Sequence, residues 1–189
     1  MDTSDIRKGL KFMLDGQPFV VVDFQFVKPG KGQAFTRTRM KNLLTGNILE
    51  RNLRSGERIE PADVDERSLH FIYPEGDMFV FMNQTSGDQV SVSREAVGDA
   101  AQFLADGMEC SIVIYQGNPI SVTLPSHVLL QITDTEPGAR GDTATNVTKA
   151  ATLSTGAQIA VPLFINVGDW VKIDTREGKY VERVRAPGG

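Results

Sequence analysis

The sequence has little of what builds cross-links, metal centres or membrane spans. It contains one cysteine and two histidines among 189 residues. A single cysteine excludes an intramolecular disulfide and fits a reducing cytoplasm, and these three side chains cannot build the usual zinc cluster. No apolar run approaches the roughly 18–20 residues of a membrane helix, and the acidic start at 1–5 lacks the regions of a secretory signal. We therefore expect a soluble cytoplasmic protein without a metal.

The motifs of common enzymes are also missing. No glycine-rich loop ends in Lys-Ser or Lys-Thr, which excludes a P-loop. Cys110 stands in Met108–Ile114, a stretch typical of a core strand, and His127 has no Ser or Cys in a recognisable catalytic context. The prediction is a binding protein with neither catalytic residues nor a cofactor. An enzyme that uses Cys110 or His127 is a rival hypothesis, favoured only if Cys110→Ser abolishes an activity.

Short strand-like runs dominate what the sequence does contain. Its 18 glycines and 9 prolines fall between runs rich in Val, Ile and Phe, as in strands separated by turns. Only Ser93–Gly107 has helical spacing, with Ser93 as its N-cap and Gly107 at its end. The predicted class is all-β, with strands over 18–27, 34–43, 47–54, 68–73, 78–83, 88–92, 110–116, 119–124, 128–134, 158–165, 170–175 and 179–185.

Two breaks, at Glu60–Asp63 and Leu124–His127, divide the chain into thirds. Each third has the size of a small SH3-like or OB-type barrel. The predicted domains are therefore 1–64, 65–127 and 128–189. A barrel this small buries only about 60% of its unfolded surface, so we expect the three to support one another.

Charge is distributed unevenly along the chain. The net charge is -4, but residues 1–64 hold 11 Lys and Arg against 8 Asp and Glu, whereas residues 65–189 hold 9 against 16. The first third is thus +3 and the remainder -7. This asymmetry indicates a polyanionic partner for the first third only.

A glycine-flanked lysine follows the first long predicted strand, in the run Lys28-Pro29-Gly30-Lys31-Gly32-Gln33. Pro29-Gly30 favours a tight turn, because proline presets φ and glycine is free to adopt positive φ. Glycines on both sides leave the Lys31 side chain unshielded at the tip of a hairpin. Lys31 is either an ordinary solvated lysine or a cation on a thin probe that is also accessible to covalent modification.

The strand after this tip carries a row of positive charge. Arg37, Arg39 and Lys41 alternate with Thr36, Thr38 and Met40. Alternate residues share one face of a strand about 7 Å apart, so the three charges could follow a phosphate backbone. A solvated strand face is the other interpretation. Together with Lys28 and Lys31 the row predicts a basic patch that contacts nucleic acid.

These residues resemble the bacterial elongation factor P family. The resemblance begins with 28–35 and Leu43-Leu44-Thr45-Gly46, and includes 117–122, 137–138 and 141–144. In the last third, Lys149–Gly156 followed by Ile159, Val161-Pro162, Ile165 and Gly168 matches the family's signature pattern. The similarity covers nearly the whole chain in order.

The resemblance implies an SH3-like (KOW-like) first domain and two OB-fold domains in an L that mimics transfer RNA. It further implies a cytoplasmic, monomeric translation factor that binds the ribosome between the peptidyl and exit sites. There it would contact peptidyl-tRNA and relieve stalling at consecutive prolines.

Residue roles also follow from the resemblance. Lys31 is the residue that a modifying enzyme would alter, and the Pro-Gly-Lys-Gly tip is most similar to members carrying β-lysine. Tyr180 and Arg183 match positions implicated in tRNA or ribosome contact. A third-domain loop that approaches the exit-site codon is matched by Gly141, Asp142, Thr143 and Ala144. The following residues, 145–148, depart from the glycines that relatives often have there.

The alternative hypothesis is that the chain is a general RNA-binding protein of the OB type. Such proteins stack bases on surface aromatics. Phe, Trp and Tyr make up only 7% of this chain, and no cluster of surface aromatics is expected from the sequence. Tight, sequence-tolerant binding of free single-stranded RNA would favour that alternative.

Overall fold

Three five-stranded sheets make up most of the secondary structure, so the predicted all-β class is confirmed. The computed structural model describes residues 1–138 and 147–188. The chain divides into two compact units, one of residues 1–66 with 113–121 and the other of residues 67–112 with 122–189. The predicted domain boundaries at 64/65 and 127/128 remain predictions.

The first sheet has the strand order β4-β3-β2-β1-β5. Its strands are β1 (Lys11–Leu14), β2 (Gln17–Val27), β3 (Phe35–Asn42), β4 (Ile48–Arg54) and β5 (Glu60–Pro61). The prediction missed β1, although Asp15-Gly16 is a strong hairpin signal: both residues have positive φ, +51° and +77°, as a two-residue type I′ turn requires. The core of this sheet consists of Ile6, Leu10, Phe12, Phe19, Val21, Met40, Leu53 and Ile59.

The second sheet has the strand order β10-β9-β6-β7-β8. Its strands are β6 (Val64–Glu75), β7 (Met78–Met82), β8 (Gln89–Ser93), β9 (Glu109–Tyr115) and β10 (Asn118–Thr123). Three phenylalanines meet in its core, with the Phe71 ring centroid 5.5 Å from that of Phe81 and 6.0 Å from that of Phe79. Aromatic pairs at these separations stabilise a core beyond the area they bury.

The helix predicted over 93–107 is wrong in extent. One α-helical turn, α1 (Arg94–Val97), is followed by a 3-10 helix, Gly98–Phe103. Ser93 is the N-cap as predicted, since its Oγ accepts a hydrogen bond of 3.2 Å from the Ala96 N–H. Gly98 has φ +58° and ψ -139°, which lies outside the α region and ends the helix. No helix among the described residues is long and apolar enough to cross a membrane.

The third sheet has the strand order β13-β12-β11-β14-β15. Its strands are β11 (His127–Thr135), β12 (Thr148–Leu153), β13 (Gln158–Pro162), β14 (Trp170–Asp174) and β15 (Lys179–Val184). The prediction missed β12 because Ala150 and Ala151 have low strand propensity. Pairing on both sides forms the strand nonetheless: Ala151 faces Ile159 of β13 and Thr135 of β11.

Phe103 ties the 3-10 helix to the core of the third sheet within the second unit. It is 5% exposed and packs with Val128, Leu130 and other core residues of that sheet. Two threonine hydroxyls support the same region, because Thr155 Oγ1 donates to the Gln102 carbonyl at 2.5 Å and Thr175 Oγ1 to the Pro125 carbonyl at 2.6 Å. Burial of the Phe103 ring stabilises the 3-10 helix that follows the single α-helical turn.

Candidate functional site

The predicted lysine tip ends a long hairpin formed by β2 and β3. The two strands pair from Phe19 opposite Asn42 to Val27 opposite Phe35. On the other side of β3, β4 pairs with it over the same length, ending with Phe35 opposite Arg54. A bulge between Val21 and Asp23 shifts the register where β2 leaves the core, and such bulges bend and twist a strand.

The tip loop spans residues 28–34, between the last pair of the hairpin and its return strand. The positive φ predicted for Gly30 is found at Gly32 instead, at +107°. A Cβ on Gly32 would lie 3.9 Å from Cγ of Pro29, so the ring and the glycine face each other across the loop. The reversal of the chain therefore depends on Gly32, where an L side chain would be strained.

Two lysines extend from this loop into solvent. Lys28, Gly30, Lys31, Gly32 and Gln33 are all exposed, and Pro29 is half-buried. Among the described residues no carboxylate forms an ion pair with Lys28 or Lys31. A loop of seven residues reaches at most about 13 Å beyond the last strand pair. The tip is therefore a narrow projection that carries two unneutralised positive charges.

The predicted basic row is present on one face of β3. Arg37, Arg39 and Lys41 are exposed, and the alternate residues Thr36, Thr38, Met40 and Asn42 are buried. Acidic neighbours reduce the charge of the row: Arg37 Nε is 3.7 Å from Glu50 Oε1, and Arg39 lies between Asp23 and Glu50 across the sheet. The contact of this row with RNA remains a prediction.

The opposite face of the hairpin carries two exposed aromatic rings. Phe24 is 41% exposed and Phe26 is 60% exposed, and they lie opposite Thr38 and Thr36 on β3. The expectation that surface aromatics would not cluster is therefore wrong for this hairpin. Alternating Phe-Gln-Phe predicts two rings on one face, but period 2 alone does not tell which face the protein buries.

Arg54 is a further candidate that the basic row of β3 does not include. It is the last residue of β4, is exposed, and lies opposite Phe35 beside the tip loop. With Gln33, Ala34, Phe35 and Asn52 it lines a shallow depression next to the tip. The sequence signal for Arg54 is the predicted strand over 47–54. A strand that pairs along all of β3 places its last residue near the tip loop.

Tyr180 and Arg183 are brought together on β15. Burial of the ring raises the pKa of Tyr180, and the nearby backbone and positive charge of Arg183 oppose this rise. The Arg183 guanidinium lies 5.5 Å from the ring centroid of Phe164, and its Nη1 is 3.8 Å from Asp169 Oδ2. The predicted codon loop, Gly141, Asp142, Thr143 and Ala144, lies outside the described residues.

Cys110 is poorly suited to the rival enzyme hypothesis. It is 2% exposed, and burial raises the pKa of its thiol to about 12. The thiol is therefore protonated at neutral pH, whereas the thiolate is the nucleophile. His127 is exposed at the start of β11, where its backbone lies opposite Asp174 in the antiparallel pairing with β14.

Comparison with known proteins agrees with the predicted order of three domains along the chain. Three domain profiles match in order: the elongation factor P KOW-like domain over residues 2–59, the elongation factor P OB domain over 64–122, and the elongation factor P C-terminal domain over 128–183. The chain belongs to the elongation factor P family. It is therefore a translation factor with a KOW-like domain and two OB-type domains.

Relatives of this chain resemble it over nearly their whole length. Elongation factor P of Clostridioides difficile is 50% identical over 97% of this chain and 100% of its own. The elongation factor P of Desulforapulum autotrophicum is 49% identical over 97% and 98%. Among solved structures, translation initiation factor 5A from Methanococcus jannaschii has a TM-score of 0.50 at 22% identity, covering 66% of this chain and 91% of its own, which shows a shared fold.

Proposed function

We propose that this translation factor binds the ribosome between the peptidyl and exit tRNA sites and stimulates peptide bond formation stalled at consecutive prolines. The observation that carries the proposal is the exposed Lys31 at the end of a narrow hairpin in a chain of this family, where no carboxylate of residues 1–138 and 147–188 pairs with it. A narrow tip can enter a confined space, and its cation suits surroundings made of phosphate.

The mechanism is positioning of reactants. Proline is a hindered nucleophile with a fixed φ, so a peptidyl-prolyl substrate can miss the geometry of attack. Correct placement of two reactants lowers a barrier by up to about 7–11 kcal/mol in favourable systems. Lys31 would hold the acceptor end of peptidyl-tRNA in place, while the ribosome carries out the chemistry. The factor itself then needs neither a catalytic residue nor a cofactor.

The neighbouring residues support the tip in this proposal. Lys28 adds charge within the loop, and Arg37, Arg39 and Lys41 lie along the exposed face behind it, where they would contact tRNA or ribosomal RNA. In the third domain the segment Gly141–Ala144 would approach the exit-site codon, and Tyr180 and Arg183 would contact tRNA or the ribosome. The factor would act as a monomer in the cytoplasm.

Lys31 is the proposed site of a covalent modification, β-lysylation or a related adduct. A modifying enzyme needs an accessible amine, and the exposed loop of residues 28–34 provides one. The added chain would lengthen the cationic tip without changing the fold. Peptide mass spectrometry of the protein from its own host tests this, and an unmodified Lys31 would contradict it.

The test of the function is a timed translation assay with a Pro-Pro-Pro reporter. We expect Lys31→Ala to lose most of the stimulation at saturating factor, because the positioning group is gone while the strands that bind remain. Lys8→Ala is the control, since Lys8 is also an exposed lysine of the first third but lies outside the tip loop, where its amine is 3.7 Å from Asp23 Oδ1. Undiminished rescue by Lys31→Ala would contradict the mechanism.

A further inference from the structure

Phe164 is an exposed aromatic residue for which the hairpin mechanism has no role. It lies in the loop of residues 163–169 between β13 and β14, and 58% of its surface is exposed. Val167 in the same loop is also 58% exposed. Between them Ile165 is fully buried in the core of the third sheet.

The loop that presents Phe164 is held by hydrogen bonds in its second half. Asn166 N–H donates to Asp169 Oδ2 at 2.9 Å, and Gly168 N–H donates to the Ile132 carbonyl at 2.9 Å. Gln131 Nε2 also donates to the Gly168 carbonyl at 3.2 Å. With Ile165 as its anchor the loop is preorganised, so binding at Phe164 costs little conformational entropy.

A guanidinium lies over the exposed ring. Arg183 approaches the Phe164 ring centroid to 5.5 Å, within the range of a cation–π interaction. Asp169 Oδ2 lies 3.8 Å from Nη1 of the same guanidinium and forms an ion pair with it. An exposed ring with a fixed arginine is the combination that stacks a nucleobase and faces its phosphate.

We propose that Phe164, with Arg183 beside it, is a stacking platform for an unpaired base of RNA in the ribosome-bound complex. This rests on the proposed function, because it takes RNA of the ribosomal complex as the ligand. One ring and one valine suit a single base, whereas a protein partner would need a broad apolar patch of several hundred Å². The OB-type fold of this domain, which binds oligonucleotides elsewhere, agrees with a nucleic-acid ligand.

The first test measures the affinity of the full chain for 70S ribosomes carrying a peptidyl-prolyl-tRNA. Phe164→Leu keeps an apolar side chain but removes the π-face, so we expect Kd to rise about 5- to 100-fold, the usual range for loss of one stacked base. Phe164→Tyr keeps the ring and should stay within about twofold of the parent. Tyr73→Leu is the matched control, because Tyr73 is an aromatic residue of the second sheet that is 42% exposed. An unchanged Kd for Phe164→Leu would overturn the proposal.

The second test identifies the partner. Benzoylphenylalanine in place of Phe164 should photo-crosslink to RNA, and sequencing then shows which RNA and which nucleotide. Crosslinks to ribosomal proteins alone would overturn the proposal and assign the ring to a protein interface. Neither readout needs rescue of stalling. In the Pro-Pro-Pro assay Phe164→Leu should raise the factor concentration needed for half-maximal rescue, whereas Lys31→Ala should lower the rescue reached at saturating factor, so failure of one proposal is distinguishable from failure of the other.

Discussion

Lys31 differs from its basic neighbours in backbone context more than in charge. The Lys11 side chain is only 18% exposed and its amine lies 2.9 Å from Glu66, and Arg51 pairs with Asp15 at 3.0 Å. Lys31 stands between two glycines, and no carboxylate among the described residues reaches it. The residue types alone do not reveal this difference, because it depends on which strands lie beside each basic side chain.

Cys110 provides a prediction about pH at the scale of a single residue. The pKa of its thiol is raised from an ordinary 9.0 to about 12 by burial. Because the folded-state pKa lies above the unfolded value, the buried thiol contributes its full stability below pH 9 and loses it as pH rises towards 12. Between those limits we expect the free energy of unfolding to fall with pH by at most about 1.4 kcal/mol per unit on account of this group.

Denaturant titrations of the parent and of Cys110→Ala at pH 8, 9, 10 and 11 measure this contribution. Cys110→Ala should be less stable at pH 8 because it leaves a small cavity. Its stability should then decline less steeply with pH than that of the parent. Parallel pH profiles for the two proteins would show that the thiol does not titrate as its burial indicates.

At the scale of elements, the hairpin shows what residue spacing predicts correctly, and the short 3-10 helix shows where a prediction from spacing fails. Period 2 correctly predicted that Arg37, Arg39 and Lys41 share a face of β3. Helical spacing over 93–107 did not produce a helix of that length, because Gly98 breaks it and burial of Phe103 stabilises the tight turn that follows. Local spacing indicates which residues share a face, and tertiary packing decides how far the element extends.

Phe103 provides a prediction about the stability of the second unit. Phe103→Ala removes a buried ring from the core of the third sheet, so we expect the free energy of unfolding to fall by about 3–5 kcal/mol. Urea unfolding followed by the fluorescence of Trp170, the single tryptophan, which lies on β14 of that sheet, measures the change.

The control for this change is Phe26→Ala, because Phe26 is 60% exposed on the hairpin. Its truncation should alter the free energy of unfolding by less than about 1 kcal/mol. Equal effects of the two substitutions would show that Phe103 does not join the core of the third sheet.

At the scale of the whole molecule, the net negative charge comes from one stretch of the sequence, residues 65–127. Residues 65–127 contain 2 Lys and Arg against 9 Asp and Glu, a net charge of -7, whereas residues 128–189 contain 7 of each. All nine carboxylates of the middle stretch are exposed. Repulsion between this surface and phosphate should suppress indiscriminate binding of RNA, while the basic first third keeps its affinity.

Neutralising part of this surface tests the idea. We expect the variant with Asp77→Asn, Asp88→Asn, Glu95→Gln, Asp99→Asn and Asp106→Asn to bind free poly(U) about tenfold more tightly than the parent at low salt, with the difference vanishing as salt screens the charges. Exchanging Asp and Glu at the same five positions keeps the charge and serves as the control. If the neutralised variant binds poly(U) no better than this control, the acidic stretch has no such role.

The sequence by itself determined the all-β class, the family and the alternation of the basic row, because each depends on the local order of residue types along the chain. Only the tertiary structure decided that β12 is a strand, that the helix ends at Gly98, and that Phe24, Phe26 and Phe164 face solvent. Such outcomes depend on which distant segments pair and which side of a sheet is covered. Spacing shows that two rings share a face, but burial of that face is a property of the folded chain.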